Sequence, residues 1–203
     1  MGAAVPKQFL CLRGVPILVH TVRKFLTVAE RVVVVLPAEQ RERWMQMCEE
    51  HNLTGTHDVC EGGATRFHSV QRGLAALGEC DIVAVHDGVR PLVSQGMIER
   101  GLACAAEYGS AVPVVAAVDS FRMEQEGELR CVDRSRLRAV QTPQIFEWSL
   151  LHRAYCCEAD ERFTDDATVV EALGTRLHYY EGERGNIKIT TPEDLVIAEA
   201  LDV

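Results

Sequence analysis

The chain has no apolar run approaching the roughly 20 residues that a bilayer span requires. It also has no C-x-x-C pair, no H-E-x-x-H helix and no G-x-G-x-x-G after any strand-like run. These absences argue against a membrane anchor, a zinc site and a dinucleotide-binding oxidoreductase domain. Lys7 and Arg13 interrupt the first apolar stretch, so it does not read as a signal peptide, and a cytoplasmic protein is the expectation. Basic charge is scarce: 21 Lys and Arg against 30 Asp and Glu leave a net charge of −9. A general nucleic-acid surface needs a basic footprint to displace counterions, so any phosphate site here must be local. The eight cysteines, at 11, 48, 60, 80, 104, 131, 156 and 157, are scattered. They read as reduced small hydrophobes rather than bridges. The seven histidines form no helical pair, and a structural metal is not expected.

What is present is 203 residues, 47% of them hydrophobic, enough for one domain over 1–203 with a substantial core. Pro16 is suited to a first helical turn, and Ile17, Leu18, Val22 and Phe25 recur at helical spacing. "RVVVVLP" is a continuous β-branched run closed by Pro37, the pattern of a strand covered on both faces. A crossover helix over Glu39 to His51 comes next, then "GTHDVC" as a strand, Thr65 to Leu77 as a helix and "DIVAVHD" as a strand. Met97 to Tyr108 reads as a helix and "SAVPVVAAV" as a strand. Strands alternating with helices of about a dozen residues imply right-handed βαβ units. The fold expected is α/β, doubly wound around a mostly parallel sheet.

From about 118 to 141 the rhythm changes to two short polar strands around Glu126-Gly127. An exposed two-stranded arm is marginal alone, which suggests that a second subunit covers it. Helices at Glu147 to Ala159 and Asp165 to Leu173, strands "RLHYYEG" and "NIKIT", and a helix from Pro192 complete the chain.

Five stretches place polar or small residues at strand ends, where open parallel sheets bind ligands. Pro6-Lys7-Gln8 also reads as a turn with a solvated lysine. In "EGGATRFHSV", Gly63 permits close backbone approach and the helix start favours an anion that Arg66 and Ser69 would face; glycine for the turn alone is the plainer account. "VHDGVRP" ends a strand with Asp87, a carboxylate suited to Mg²⁺ with nucleotide phosphates, then Gly88 and the Arg90 fork. Ser120, Arg134 and Thr142 lie in and after the arm, where Arg134 could simply pair with Glu124 or Glu128. In "RFTDDA" and "GNIKITTPED", Thr164 with Asp165 and Thr191 before Pro192 look like helix caps. Capping does not explain Lys188.

Taken together, "PKQFL-L-G-PIL-HT", "GG-x-x-R-x-x-SV-x-x-GL", "VHDGVRP", "VDR", "QTPQ-F", "TDDA" and "NIKITTPEDL" stand in the order and spacing of one family. From Met1 to the last helix the chain resembles the 2-C-methyl-D-erythritol 4-phosphate cytidylyltransferases of the non-mevalonate isoprenoid pathway. The resemblance implies a Rossmann-like nucleotidyltransferase and a reaction of CTP with methylerythritol phosphate that releases pyrophosphate. The substrate phosphate attacks the α-phosphorus in line, with no covalent intermediate and no general base. Carried over by position, Lys7, Lys188 and Arg134 would be catalytic and Asp87 would hold Mg²⁺. Gly63, Arg66, Ser69 and Gly88 would join Lys7 and Lys188 in the nucleotide pocket. Arg90, Thr142 and Thr164 would line the methylerythritol phosphate site, completed by Ser120 and Arg134 from the other subunit of a homodimer.

The resemblance also implies a buried strand and a glycine-rich phosphate loop, roughly 20 residues, ahead of the position of Met1. That strand would be central, so without it two neighbours lack a partner and a groove opens in the core. Losing one preorganised charge of such a loop costs about 10²–10³ in rate. A misassigned start or a truncated form of a normal enzyme is the expectation here. The alternatives are a ribitol-5-phosphate cytidylyltransferase, which shares "PKQFL", "QTPQ" and "KITT", and a truncated inactive homologue that only dimerises.

Overall fold

A computed structural model describes residues 5–201. Met1, before which the resemblance places a strand and loop, lies outside the described residues. Strands β1 (Cys11–Leu12) and β2 (Val15–Pro16) form a tight hairpin. Its turn holds Arg13 at φ 49° and Gly14 at φ 79°, a left-handed pair that glycine makes accessible. Helix α1 (Ile17–Leu26) begins directly after it and buries Ile17, Leu18, Val19 and Val22.

The expected alternation then appears as β3 (Val33–Leu36), α2 (Arg41–Glu50), β4 (Asp58–Glu61), α3 (Arg66–Leu77), β5 (Ile82–Val85), α4 (Gln95–Tyr108) and β6 (Ser110–Ala116). The arm is β7 (Arg122–Gln125) paired antiparallel to β8 (Glu128–Cys131), with every residue of both strands exposed. Strands β9 (Arg138–Val140) and β10 (Gln144–Glu147), helices α5 (Trp148–Ala154) and α6 (Asp166–Glu171), β11 (Tyr179–Glu181) and α7 (Pro192–Leu201) complete the order.

The sheet is mixed and in two pieces. The larger has the order β11-β6-β10-β5, with β9 also on β6, and β10 runs antiparallel to both β5 and β6. The smaller is the parallel pair β3-β4. The "QTPQIF" stretch is thus more than a loop motif: Gln144, Ile145 and Phe146 are buried in the strand that joins β5 to β6. "NIKIT" forms no strand. Its alternation arises because Ile187 and Ile189 pack against the cluster of Leu12 and Ile17 while Lys188 between them is exposed, and Ile189 donates its N–H to the Val89 carbonyl at 2.9 Å rather than to a ladder.

Among the described residues β3 pairs only with β4, and β5 only with β10, so each keeps one edge without a strand partner. A cavity of about 760 Å³ lies along both edges, walled by Val33, Val34, Val35 and Ile82 to Val85. Leu18, Val22 and Phe25 of α1 and Val70, Leu74 and Leu77 of α3 close it above and below. The core divides on either side of it. Phe9, Val19, Val34, Leu36 and Trp44 pack together on one side; Phe67, Val83, Phe146, Leu151 and Tyr155 pack on the other.

All eight cysteines are free, but only Cys48 is buried, and Cys11, Cys80, Cys131, Cys156 and Cys157 are exposed. The reading of the set as reduced rather than bridged agrees with this, and as a buried small hydrophobe only Cys48 qualifies. No described helix is long and apolar enough to cross a membrane.

Candidate active site

A pocket of about 230 Å³ opens at the carboxyl end of β5. Arg66, Asp87, Arg90, Thr142, Thr164 and Lys188 line it, brought together from five separate stretches of sequence, with Gln141, Gln144 and Asp165 between them. Three cations thus converge on a pocket in a chain whose net charge is −9.

Asp87 is the centre of this arrangement. The chain leaves β5 at Val85 and turns through residues 86–90, closed by the Arg90 N–H donating to the Asp87 carbonyl at 3.0 Å. Gly88 lets the turn lie against α1, where an added Cβ would meet Leu18 Cδ1 at 2.9 Å. The Thr21 hydroxyl donates to the Gly88 carbonyl from the same helix at 3.1 Å. Asp87 Oδ2 accepts from Arg90 Nε at 3.3 Å and pairs with Lys188 Nζ at 3.1 Å. Burial alone raises the Asp87 carboxyl, but Lys188 and then Arg90 and Arg66 outweigh it and hold its pKa below the ordinary carboxylate value. Arg90 is anchored a second time, from Nη1 to the carbonyl of buried Asn186 at 2.8 Å.

Arg66 is the first residue of α3, next to the N-cap Thr65. Its guanidinium forms a fork on Asp166, with Nη1–Oδ1 at 3.1 Å and Nη2–Oδ2 at 2.5 Å. The Tyr155 hydroxyl donates to the same carboxylate at 2.6 Å. Burial, with Asp166 beside it, raises the Tyr155 phenol far above its usual range, so it stays protonated as a donor. Gly63 is required by packing, since a Cβ there would meet His68 Cβ at 2.3 Å. Ser69 braces the helix start: its hydroxyl accepts from the Gly63 N–H at 3.0 Å and donates to the Thr65 carbonyl at 2.9 Å.

On the opposite wall, Thr142 Oγ1 accepts the Asp87 N–H at 3.1 Å and lies 3.1 Å from His86 Nδ1. His86 Nε2 lies 3.1 Å from the Arg90 carbonyl. Loss of solvation pushes the His86 imidazole down to about 4, so the ring is neutral at pH 7. Thr164 lines the pocket but does not cap α6. The N-cap is Asp165, in a capping box with Thr168, and its Oδ2 also accepts from Gln144 Nε2 at 2.9 Å. Thr191 and Asp194 close a similar box at the start of α7.

Six of the expected site residues do not line this pocket: Ser69 and Gly88 face the larger cavity instead, and Gly63, Lys7, Ser120 and Arg134 line neither. Lys7 is exposed in a single 3-10 turn, Lys7–Phe9, and lines neither cavity. Ser120 and Arg134 are exposed on the arm. Arg134 donates to the Val118 carbonyl at 2.7 Å and pairs with neither Glu124 nor Glu128; Glu128 pairs with Arg130 instead. The residues that sequence reasoning passed over are His86, Gln144, Tyr155, Asp166 and Asn186, polar or phenolic groups whose side chains each bond to at least one partner 11 or more residues away. "TDDA" flagged the neighbourhood of Asp166 without singling it out.

The described residues contain no cluster of three or more His, Cys, Asp or Glu suited to an all-protein metal cage. Mg²⁺ is usually bound by one or two carboxylates together with substrate phosphates and water, so a single carboxylate suffices. Asp87 fits: both cations sit on Oδ2, and no described donor bonds to Oδ1.

The sequence profile of the 2-C-methyl-D-erythritol 4-phosphate cytidylyltransferases (IspD) matches residues 1–202. The chain belongs to this family. The 2-C-methyl-D-erythritol 4-phosphate cytidylyltransferase of Bacteroides thetaiotaomicron is 46% identical over 203 residues, spanning 99% of this chain and 93% of that protein. Its counterpart from Clostridium perfringens is 37% identical over 205 residues, 98% of this chain and 91% of that one. The crystal structure of the Thermus thermophilus cytidylyltransferase superposes with a TM-score of 0.82 at 39% identity, covering 98% of this chain and 95% of that one. The IspD assignment agrees with the α/β class read from the strand-helix alternation.

Proposed function

We propose that this chain transfers the cytidylyl group of CTP to 2-C-methyl-D-erythritol 4-phosphate. The observation that carries the reading is the convergence of Lys188, Arg90 and Arg66 around Asp87 in one pocket, within a chain of the cytidylyltransferase family. An oxygen of the acceptor phosphate attacks the α-phosphorus of CTP, the bond to the β-phosphate breaks, and pyrophosphate leaves with the electron pair. The nucleophile is already ionised, so no side chain removes a proton, and catalysis is positioning plus neutralisation of charge.

Lys188 neutralises charge growing on the α-phosphate, and Lys7 approaches the triphosphate from the turn before β1. Arg66 and the backbone at Gly63 and Gly88 form the nucleotide side, with Ser69 bracing it. Arg90, Thr142 and Thr164 face the acceptor. Asp87 would hold Mg²⁺, which would supply positive charge to offset that of the phosphate oxygens. The arm of a second copy brings Ser120 and Arg134 to the acceptor side, so the working unit is a homodimer in the cytoplasm.

Pyrophosphate release, measured with CTP, Mg²⁺ and either methylerythritol phosphate or ribitol 5-phosphate, tests this reading. Release with methylerythritol phosphate and not with ribitol 5-phosphate is expected. Release with ribitol 5-phosphate alone, or with neither acceptor, overturns it for this chain.

A further inference from the structure

His86 sits between the last residue of β5 and the Asp87 carboxylate, and none of the roles above uses it. Its two ring nitrogens have different partners. The Arg90 carbonyl, 3.1 Å from Nε2, can only accept, which places the ring proton on Nε2. Nδ1 of the neutral ring is then an acceptor, and its partner at 3.1 Å is the Thr142 hydroxyl. That hydroxyl gives its hydrogen to His86 while its oxygen accepts the Asp87 N–H at 3.1 Å. The result is a closed circuit from Asp87 N–H to Thr142, from Thr142 to His86, and from His86 to the Arg90 carbonyl. It spans the short turn that carries both a carboxylate and a guanidinium into the pocket.

We propose that His86 is a positioning residue for cytidylyl transfer, fixing Asp87 and Arg90 relative to each other through its two ring nitrogens. This rests on the cytidylyl-transfer reading for its catalytic meaning, and on the hydrogen bonds alone for its geometry. Three polar contacts of the turn are thereby fixed before any phosphate arrives, so no reorganisation accompanies the reaction. One consequence concerns Thr142. With its hydrogen on His86, it has none left to donate to an acceptor phosphate, so it serves the site by holding the turn.

Two measurements test this. Nitrogen-15 spectra of the histidine rings in the intact protein are expected to show His86 protonated at Nε2 and hydrogen-bonded at Nδ1. In T142V the Nδ1 resonance should move towards that of a free imidazole nitrogen. A wild-type ring protonated at Nδ1, or one unmoved in T142V, overturns the proposal, and both are read without turnover. In kinetics, H86L is expected to lower kcat about 10–100-fold with smaller changes in both KM values, because displacement on the scale of 1 Å costs about 10² in rate. H86Q, which keeps the donor to Arg90, and H86N, which keeps the acceptor for Thr142, should each recover part of that loss. A folded H86L with unchanged kcat also overturns it. A wild-type chain silent with CTP and both acceptors counts against the cytidylyl-transfer reading, while the ring spectra still decide the role of His86 in the turn.

Discussion

The carboxylate of Asp166, with no surface open to solvent, grips both terminal nitrogens of Arg66 across 100 residues of sequence, at 3.1 and 2.5 Å. Two long-range partners therefore aim Arg66 into the pocket: Asp166 directly, and Tyr155 by donating to the same carboxylate. Planar bidentate pairs of this kind fix orientation as well as charge. D166N is expected to lower stability by about 2–3 kcal/mol, near the bottom of the range for breaking a buried pair because Arg66 is partly exposed. It should also raise KM for CTP, since Arg66 loses its holder. Thermal melting and initial-rate kinetics on the same preparation check both, and an unchanged melting temperature removes Asp166 from this role.

Lys188 and Asp87 couple the pocket to pH. The Asp87 carboxyl has its folded pKa below the ordinary value, although burial opposes this, because Lys188 and Arg90 favour the ionised form. A depressed carboxylate pKa contributes stability that is present above the unfolded value, about 3.9, and lost as pH falls through the folded one. The contribution of Asp87 is thus complete at pH 5 and above and disappears only below about pH 4. K188A removes the strongest attraction and raises the folded pKa of Asp87 towards the unfolded one, so the acid-dependent loss of stability that Asp87 causes should be smaller than in wild type. Melting temperatures between pH 6 and 2.5 would show it. The same variant is expected to lose about 10²–10³ in kcat, as for other preorganised charges at a developing oxyanion, and unaltered turnover removes Lys188 from the mechanism.

Some of this arrangement is visible in the sequence, and the physical reason is locality. "DIVAVHD" announces a buried strand together with the polar residues at its carboxyl end, so Asp87 and Arg90 can be placed on a pocket without knowing their neighbours. Lys188 stands out because neither capping nor burial accounts for it. Strand β10 is hidden because four residues beginning with Gln and ending with Glu carry too little apolar pattern to mark a strand. "NIKIT" misleads in the opposite direction, its alternation serving burial against the cluster of Leu12 and Ile17. Asp166 and His86 have no local signature at all: a buried polar group is defined by partners that the fold supplies, and those lie up to 100 residues away.

The unpaired strand edges make a prediction about backbone amides. Val32 and Leu36 accept from β4 and the residue after it, so by alternation Val33 and Val35 turn their N–H groups to the cavity. Asp81 accepts from Trp148 beyond β10, which likewise leaves Ile82 and Ala84 facing it. Hydrogen exchange at Val33, Val35, Ile82 and Ala84 is expected to outpace that at Val34 and Val83 by about tenfold or more, the factor set by a difference of about 1.4 kcal/mol in opening free energy. Equal protection at all six would mean that the two edges are bonded to something in solution.

The arm supplies the last test. Phe121, Met123 and Leu129 stand exposed on or beside two strands that bury nothing, Leu129 at 70%. A two-stranded hairpin has little stability alone, and apolar side chains gathered on a projecting element mark a surface for association. If a second copy covers the arm, Arg134 and Ser120 travel with it to the acceptor side of the other pocket, and association and acceptor binding become one property. L129E is then expected to convert dimer to monomer in sedimentation at micromolar concentration. R134A should leave the dimer intact and raise KM for methylerythritol phosphate while KM for CTP stays near wild type. The two variants separate the roles: a dimer that survives L129E, or an R134A enzyme whose acceptor KM is unchanged, breaks the link between the arm and the pocket.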